Sequence, residues 1–136
     1  MKSDEIIYEG YSPCDVIASK WNTDNGEFKI RYEIFIHVST LPKHVNILTK
    51  KQGFKVWITG GYFISDLIFF SLKKNALTNI DKIKDDSEGN ATLLEFQSLE
   101  IMLNVAQHIH KILNDKKLLK QLLYEFYLDE ASKEDR

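Results

Sequence analysis

The side chains best equipped for metal binding or nucleophilic chemistry are His37, His44, His108, His110 and Cys14. Their spacing argues against both uses. His108 and His110 are two positions apart, which on a helix turns them about 200° away from each other. A helical zinc pair needs three- or four-residue spacing. His37 and His44 flank a turn with no cysteine pair beside them, so no metal site is expected. Cys14 precedes Asp15 close to a candidate helix start at Ser12, a setting that can lower a thiol pKa. A nucleophile also needs a positioned base and an oxyanion site. Neither adjoins Cys14, and a small packed residue is the expectation. Gly60-Gly61 is followed by neither Gly-Lys-Ser/Thr nor a dinucleotide fingerprint, so it reads as a turn out of a sheet. Asp81, Asp85, Asp86 and Glu88 share a polar stretch with Lys82 and Lys84, where a solvated face is the default. The chain therefore reads as non-enzymatic, with no catalytic residue, metal or cofactor predicted.

Composition narrows the partners. A formal charge of −2 over 136 residues offers no basic face for phosphates, so no nucleic-acid partner is expected. Arg31 and Arg136 are the only arginines, which leaves no cluster for bidentate anion recognition. The lone cysteine cannot form an internal disulfide and fits a reducing cytoplasm. Met1 to Gly10 lacks the basic-then-apolar pattern of a secretory signal. The longest apolar stretch, Tyr62 to Leu72, is interrupted by Ser65, Asp66 and Ser71 and is too short to span a bilayer. A soluble cytoplasmic protein without membrane insertion is expected, as a single domain over residues 1–136.

The elements that must position any site begin with one strand. From Phe28 to Val38, Phe28, Ile30, Tyr32, Ile34, Ile36 and Val38 fall on one side and Glu27, Lys29, Arg31 and Glu33 on the other. At ~3.3 Å per residue this strand runs roughly 36 Å, about the width of a domain of this size. Ile6 to Glu9 reads as a short strand. Ser12-Pro13-Cys14-Asp15 reads either as a helix start with Ser12 as N-cap or as an extended segment. Asp24-Asn25-Gly26 is a turn. Val45 to Thr49 and Phe54 to Thr59 are predicted to form a hairpin around Lys50-Lys51-Gln52-Gly53. Tyr62 to Leu72 is compatible with a buried strand or a helix. Residues 75–90 read as a mobile connection. Thr92 and Glu95 have capping-box spacing and predict a helix start. The apolar arc from Leu94 to Leu113 spans about 200°, more than the roughly 100° one sheet requires, so burial on two sides is expected. After Asn114-Asp115, Leu118, Leu119, Leu122, Leu123 and Phe126 mark a second helix. The expected class is α+β: an antiparallel sheet of about four strands followed by two C-terminal helices. The sheet core is placed at 27–72, the helical part at 92–129 and a flexible tail at 130–136.

Apolar residues on the polar side of the sheet suggest where a partner binds. Phe35 interrupts the charged face of the long strand, and Trp57 lies opposite the Phe54, Val56, Ile58 face of its own segment. Exposed aromatics mark interaction sites, so Phe35, Trp57, Tyr62 and Phe63 are the candidate protein-binding residues.

Over Phe28 to Gly60 the chain resembles the SecB-like export chaperone family. The likeness lies in the strand FKIRYEIFIHVS, the connection TLPKH and the stretch NILTKKQGFKVWITG, with TLLEFQSLE similar to the opening of that family's main helix. The link from Gly61 to Thr92 is longer than the family's crossover, and the segment between its two helices has no counterpart beyond Asn114-Asp115. The resemblance implies a nucleotide-independent homo-oligomer that holds unfolded or partly folded clients on apolar grooves, some relatives serving toxin–antitoxin pairs. The alternative is a toxin-neutralising immunity or antitoxin protein that binds one folded partner; a small enzyme built from scattered residues is a third class.

Overall fold

The computed structural model describes residues 2–54, 60–76 and 80–134. Its organising element is the alternating strand, here β3 (Phe28–His37), which pairs antiparallel with β2 (Asp15–Asn22) on one side and β5 (Ala91–Phe96) on the other. β1 (Lys2–Tyr8) extends the sheet beyond β2, and the two-residue β4 (Lys84–Asp85) extends it beyond β5. The order is β1-β2-β3-β5-β4. The class is α+β as expected, with five strands where about four were anticipated.

Opposed residues of a sheet share a face. Val16, Ile34 and Leu94 stand in one register row and Ala18, Tyr32 and Phe96 in the next. With Ile36 and Thr92 they make the inner face, and α2 (Gly61–Lys74) and α3 (Leu99–Asn114) pack on this side. Phe28 and Ile30 have the same parity yet are 61% and 53% exposed. The helix layer covers β3 only from Tyr32 onward, so the expected single buried face is half a face.

Several segments differ from their sequence reading. The stretch after Ser12-Pro13, read as either a helix start or an extended segment, is extended and from Asp15 a regular strand, because Val16 and Ala18 alternate with Ile17 and Ser19 and meet β3 across the whole hairpin. Val45 to Thr49 lie in a helix, α1 (Lys43–Gln52), and not in the first arm of a hairpin. Their spacing of four buries both on one helical side against α4 (Lys116–Glu134). Gly53, at φ 108°, ends α1 in the left-handed conformation and donates to the carbonyls of Lys50 and Thr49. The second arm, residues 55–59 with Trp57, lies outside the described residues. Thr92 and Glu95 belong to β5; the cap is Ser98, whose hydroxyl accepts from the Ile101 N–H at 3.1 Å. The sheet thus comes from 2–37 and 84–96, while the segment from 38 to 74 supplies the helices α1 and α2. Residues 130–134, expected as tail, continue α4. The polar connection after α2 carries β4 and a bridge between Glu88 and Ala91.

Other expectations hold. The chain breaks at Asn114-Asp115 as read: Asp115 closes α3, and its carboxylate accepts from the N–H groups of Lys117 and Leu118 to open α4. α3 is buried on two sides, by the sheet and by α4. Gly60-Gly61, read as a turn out of a strand that lies outside the described residues, is found instead at the start of α2 in a close approach: a Cβ on Gly61 would strike the backbone carbonyls of Glu88 and Ala91. The Gly61 N–H donates to Gly89, and the buried Thr92 hydroxyl donates to the Gly61 carbonyl at 2.8 Å.

Candidate functional site

The apolar run of α2 sorts its residues by helical period. Ile64, Leu67, Ile68, Ser71 and Leu72 turn inward, while Phe63 and Phe70, seven apart, share another side and meet α4. Phe126 of α4 is the hub. Its ring lies 5.2 Å from Phe70, 5.6 Å from Phe54 and 5.9 Å from Phe63. Phe54 also meets Phe63 and Tyr127 edge-on at 5.1 and 5.5 Å, geometries that aromatic quadrupoles favour. Beside these rings a groove of about 980 Å³ is lined by residues of α2 and α4 with Ile80. Phe69, Phe70, Phe126 and Ile80 form its apolar floor, and Asp66, Lys73, Lys74, Asp129, Glu130 and Lys133 form its lip.

Acids outnumber bases at one end of the lip and lysines stand at the other, with ion pairs at both ends. Asp66 on α2 faces Asp129 and Glu130 on α4, with Lys133 bonded to Glu130 at 3.2 Å and to Asp129 at 3.3 Å. Burial first, then the charges of Glu130 and Asp85, push the Asp66 carboxyl above its ordinary value, against the opposing pull of Lys133. Asp85 goes the other way. Its burial is outweighed by hydrogen bonds from the Ser65 hydroxyl, at 2.5 Å, and from Ser87. Two turns along α2, Lys73 and Lys74 make the cationic end, with Lys74 paired to Glu125. The groove can accept apolar side chains on its aromatic floor while its acidic and basic ends meet opposite charges. Such a floor discriminates little among apolar groups, since packing and area are what it rewards.

No family model, curated protein or solved structure matches the chain.

The structure disperses the sequence-predicted site residues. Phe35 lies on the sheet face away from the helices, opposite Leu93 and stacked 5.9 Å from His37. With Ile7 and Ile17, which are paired in the adjacent register row, Phe35 and Leu93 form an apolar patch on that face. Tyr62 projects outward from the start of α2, 62% exposed, whereas Phe63 is inside the aromatic cluster beneath the groove. Trp57 falls outside the described residues, so its expected meeting with Phe35 does too. Phe69, Phe70, Phe126 and Asp66 were not singled out from the sequence. The signal was present in the Phe69-Phe70 pair and in Phe126 at the end of the α4 leucine series, but two helices distant in sequence had to be apposed to make it a site.

Each histidine has a local structural partner. His44 donates to the Leu113 carbonyl at 2.7 Å, His108 is hydrogen-bonded to Ser71 across 2.7 Å, and His110 donates to the Ser12 carbonyl at 2.6 Å. His37 stands 3.8 Å from Asp15. Cys14 is buried, and that burial, with the Asp15 charge, pushes its thiol up to about 12. A thiol so held carries almost no thiolate at neutral pH and is a poor nucleophile.

Proposed function

We propose that this chain is a non-enzymatic protein-binding module that holds unfolded or partly folded clients in the α2–α4 groove. This is the role of a SecB-like holding chaperone, working in the cytoplasm as a homo-oligomer, with toxin–antitoxin pairs among its settings. The observation that carries the reading is the aromatic-floored groove, whose volume of about 980 Å³ is at the upper end of ordinary ligand pockets. Its lip bears both signs of charge and its floor bears none. That combination suits short client segments of mixed apolar and charged residues better than one small molecule. No helix among the described residues is long and apolar enough to cross a membrane, consistent with a site presented to dissolved chains.

The test is suppression of aggregation of several unrelated unfolded proteins. Wild-type protein should suppress it, and Phe69→Ala should weaken suppression about tenfold, the effect of ~1.4 kcal/mol at a contact residue. Phe69 takes no part in the ring contacts around Phe126 but is half-buried against the core, so the variant's fold is checked by far-UV circular dichroism beside the assay. Absence of suppression by the wild type sinks the reading. Tight binding to one folded protein, without suppression, replaces it with a toxin-neutralising immunity or antitoxin protein.

A further inference from the structure

We propose that the cleft where β1 turns into β2 binds a small organic cation, an ammonium or guanidinium carried on a slim apolar stem. The cleft holds about 300 Å³, the lower end of ordinary ligand pockets. Tyr8, Tyr11 and the aliphatic Ile7 give it aromatic and apolar walls. Both tyrosines are half-buried and pack against the core, so their rings are held in place. The exposed acids Glu9 and Asp15 belong to the same lining, and no lysine, arginine or histidine does. His37 stands 3.8 Å from the Asp15 carboxylate but does not line the cleft.

These features choose among ligand classes. An anion would meet two carboxylates and no base. A metal ion needs a shell of hard oxygen or imidazole donors, and no group of three His, Cys, Asp or Glu side chains among the described residues could supply one. A neutral apolar molecule gains nothing from the acids. An organic cation uses the whole lining, because ring faces attract it through their quadrupole and carboxylates through charge. The rim is also formed in advance. Gly10, at φ 94°, turns the chain after β1, and the Tyr11 carbonyl accepts from the Cys14 N–H at 2.8 Å. The Ser12 carbonyl accepts from the Asn114 amide and from His110, both at 2.6 Å. The end of α3 thus anchors the connection, and a ligand needs to order little of it on binding. The cleft shares no lining residue with the α2–α4 groove, so this site stands apart from the client reading.

The test titrates the intact protein with n-butylammonium and follows backbone amides by proton–nitrogen NMR, with n-butanol as the uncharged control and calcium as the inorganic one. Amides between Tyr8 and Asp15 should shift and saturate with a Kd on the order of 1 mM. Butanol should bind about tenfold more weakly, and calcium should not displace the amine. Glu9→Gln and Tyr11→Leu should each weaken the amine about fivefold, the size of one exposed charge pair or one cation–π contact. Far-UV circular dichroism checks both folds, and the comparison of amine with alcohol needs no variant. A lysine side chain offers the same chemistry as a free amine, so a capped Gly-Lys-Gly peptide is titrated beside it. Equal binding of the peptide at the same amides assigns a side-chain ligand, and much weaker binding assigns a free amine. No saturable shift, equal binding of butanol, or displacement of the amine by calcium overturns the proposal.

Discussion

Single residues carry both the tightest tolerances and the titration behaviour of this molecule. Gly61 is the narrowest point, pressed against the carbonyls of Glu88 and Ala91 where α2 starts on the sheet. Backbone cannot rotate aside as a side chain can, so Gly61→Ala should lower stability by about 1–3 kcal/mol in urea unfolding, the usual range for overpacking. His108 sets a pH dependence. Burial first, then Lys111 on its own helix, hold its imidazole below the ordinary 6.5. Between the folded pKa and that value the unfolded chain binds more protons, so stability rises with pH across the window. The contribution is complete above 6.5 and is lost as pH falls through the folded pKa. Urea midpoints taken from about pH 7 down to about pH 5 should therefore fall less steeply in His108→Gln than in wild type. At this scale the structure gives the four histidines four separate partners: the Leu113 and Ser12 carbonyls, Ser71 and Asp15. The close approach at Gly61 was hidden, because the carbonyls it meets lie about thirty residues away and only the packed chain brings them there.

Elements show how far a local pattern carries. The alternation of β3 was legible because period two is written in consecutive residues. The extent of its burial was not, because that depends on where the helices end. Ile34 is fully buried while Phe28 and Ile30, on the same face, are exposed. Ile34→Ala should accordingly cost about 2–5 kcal/mol, whereas Ile30→Ser should change stability by about 0.5 kcal/mol or less. Equal losses for the two, measured by chemical denaturation, would contradict this division of the strand. The helix start misplaced at Thr92 is a competition between two local signals. Thr92 and Glu95 have cap spacing, but Thr92, Leu94 and Phe96 also alternate, and the free edge of β3 rewards the strand. The true cap is Ser98, and Ser98→Ala should destabilise α3 by about 1 kcal/mol. α1 fails in the opposite sense. Val45 and Thr49 are β-branched and favour strands by propensity, yet no described strand pairs with them, and the surface of α4 does.

The whole molecule is a sheet with one face clothed by helices and the other carrying the Ile7, Ile17, Phe35, Leu93 patch. α4 is integral to it, since Leu119, Leu122, Leu123 and Phe126 complete the core and Phe126 also floors the groove. A chain truncated after Asp115 should lose cooperative unfolding, a result readable by circular dichroism on heating. Retention of a sharp transition would show that the helices before α4 suffice. The α+β class, the break at Asn114-Asp115 and the two C-terminal helices could be read from residues 1–136 in order, because each rests on a period or a cap spanning a few neighbours. Whether 15–22, 43–52 and 91–96 became strand or helix could not, because short mixed segments take the conformation whose apolar side finds a partner, and that partner is remote in sequence. The groove belongs to the same class of fact. Its aromatics and carboxylates stand far apart along the chain, and burial of the rings around Phe126, an energy that exists only once α2 and α4 touch, is what brings them together.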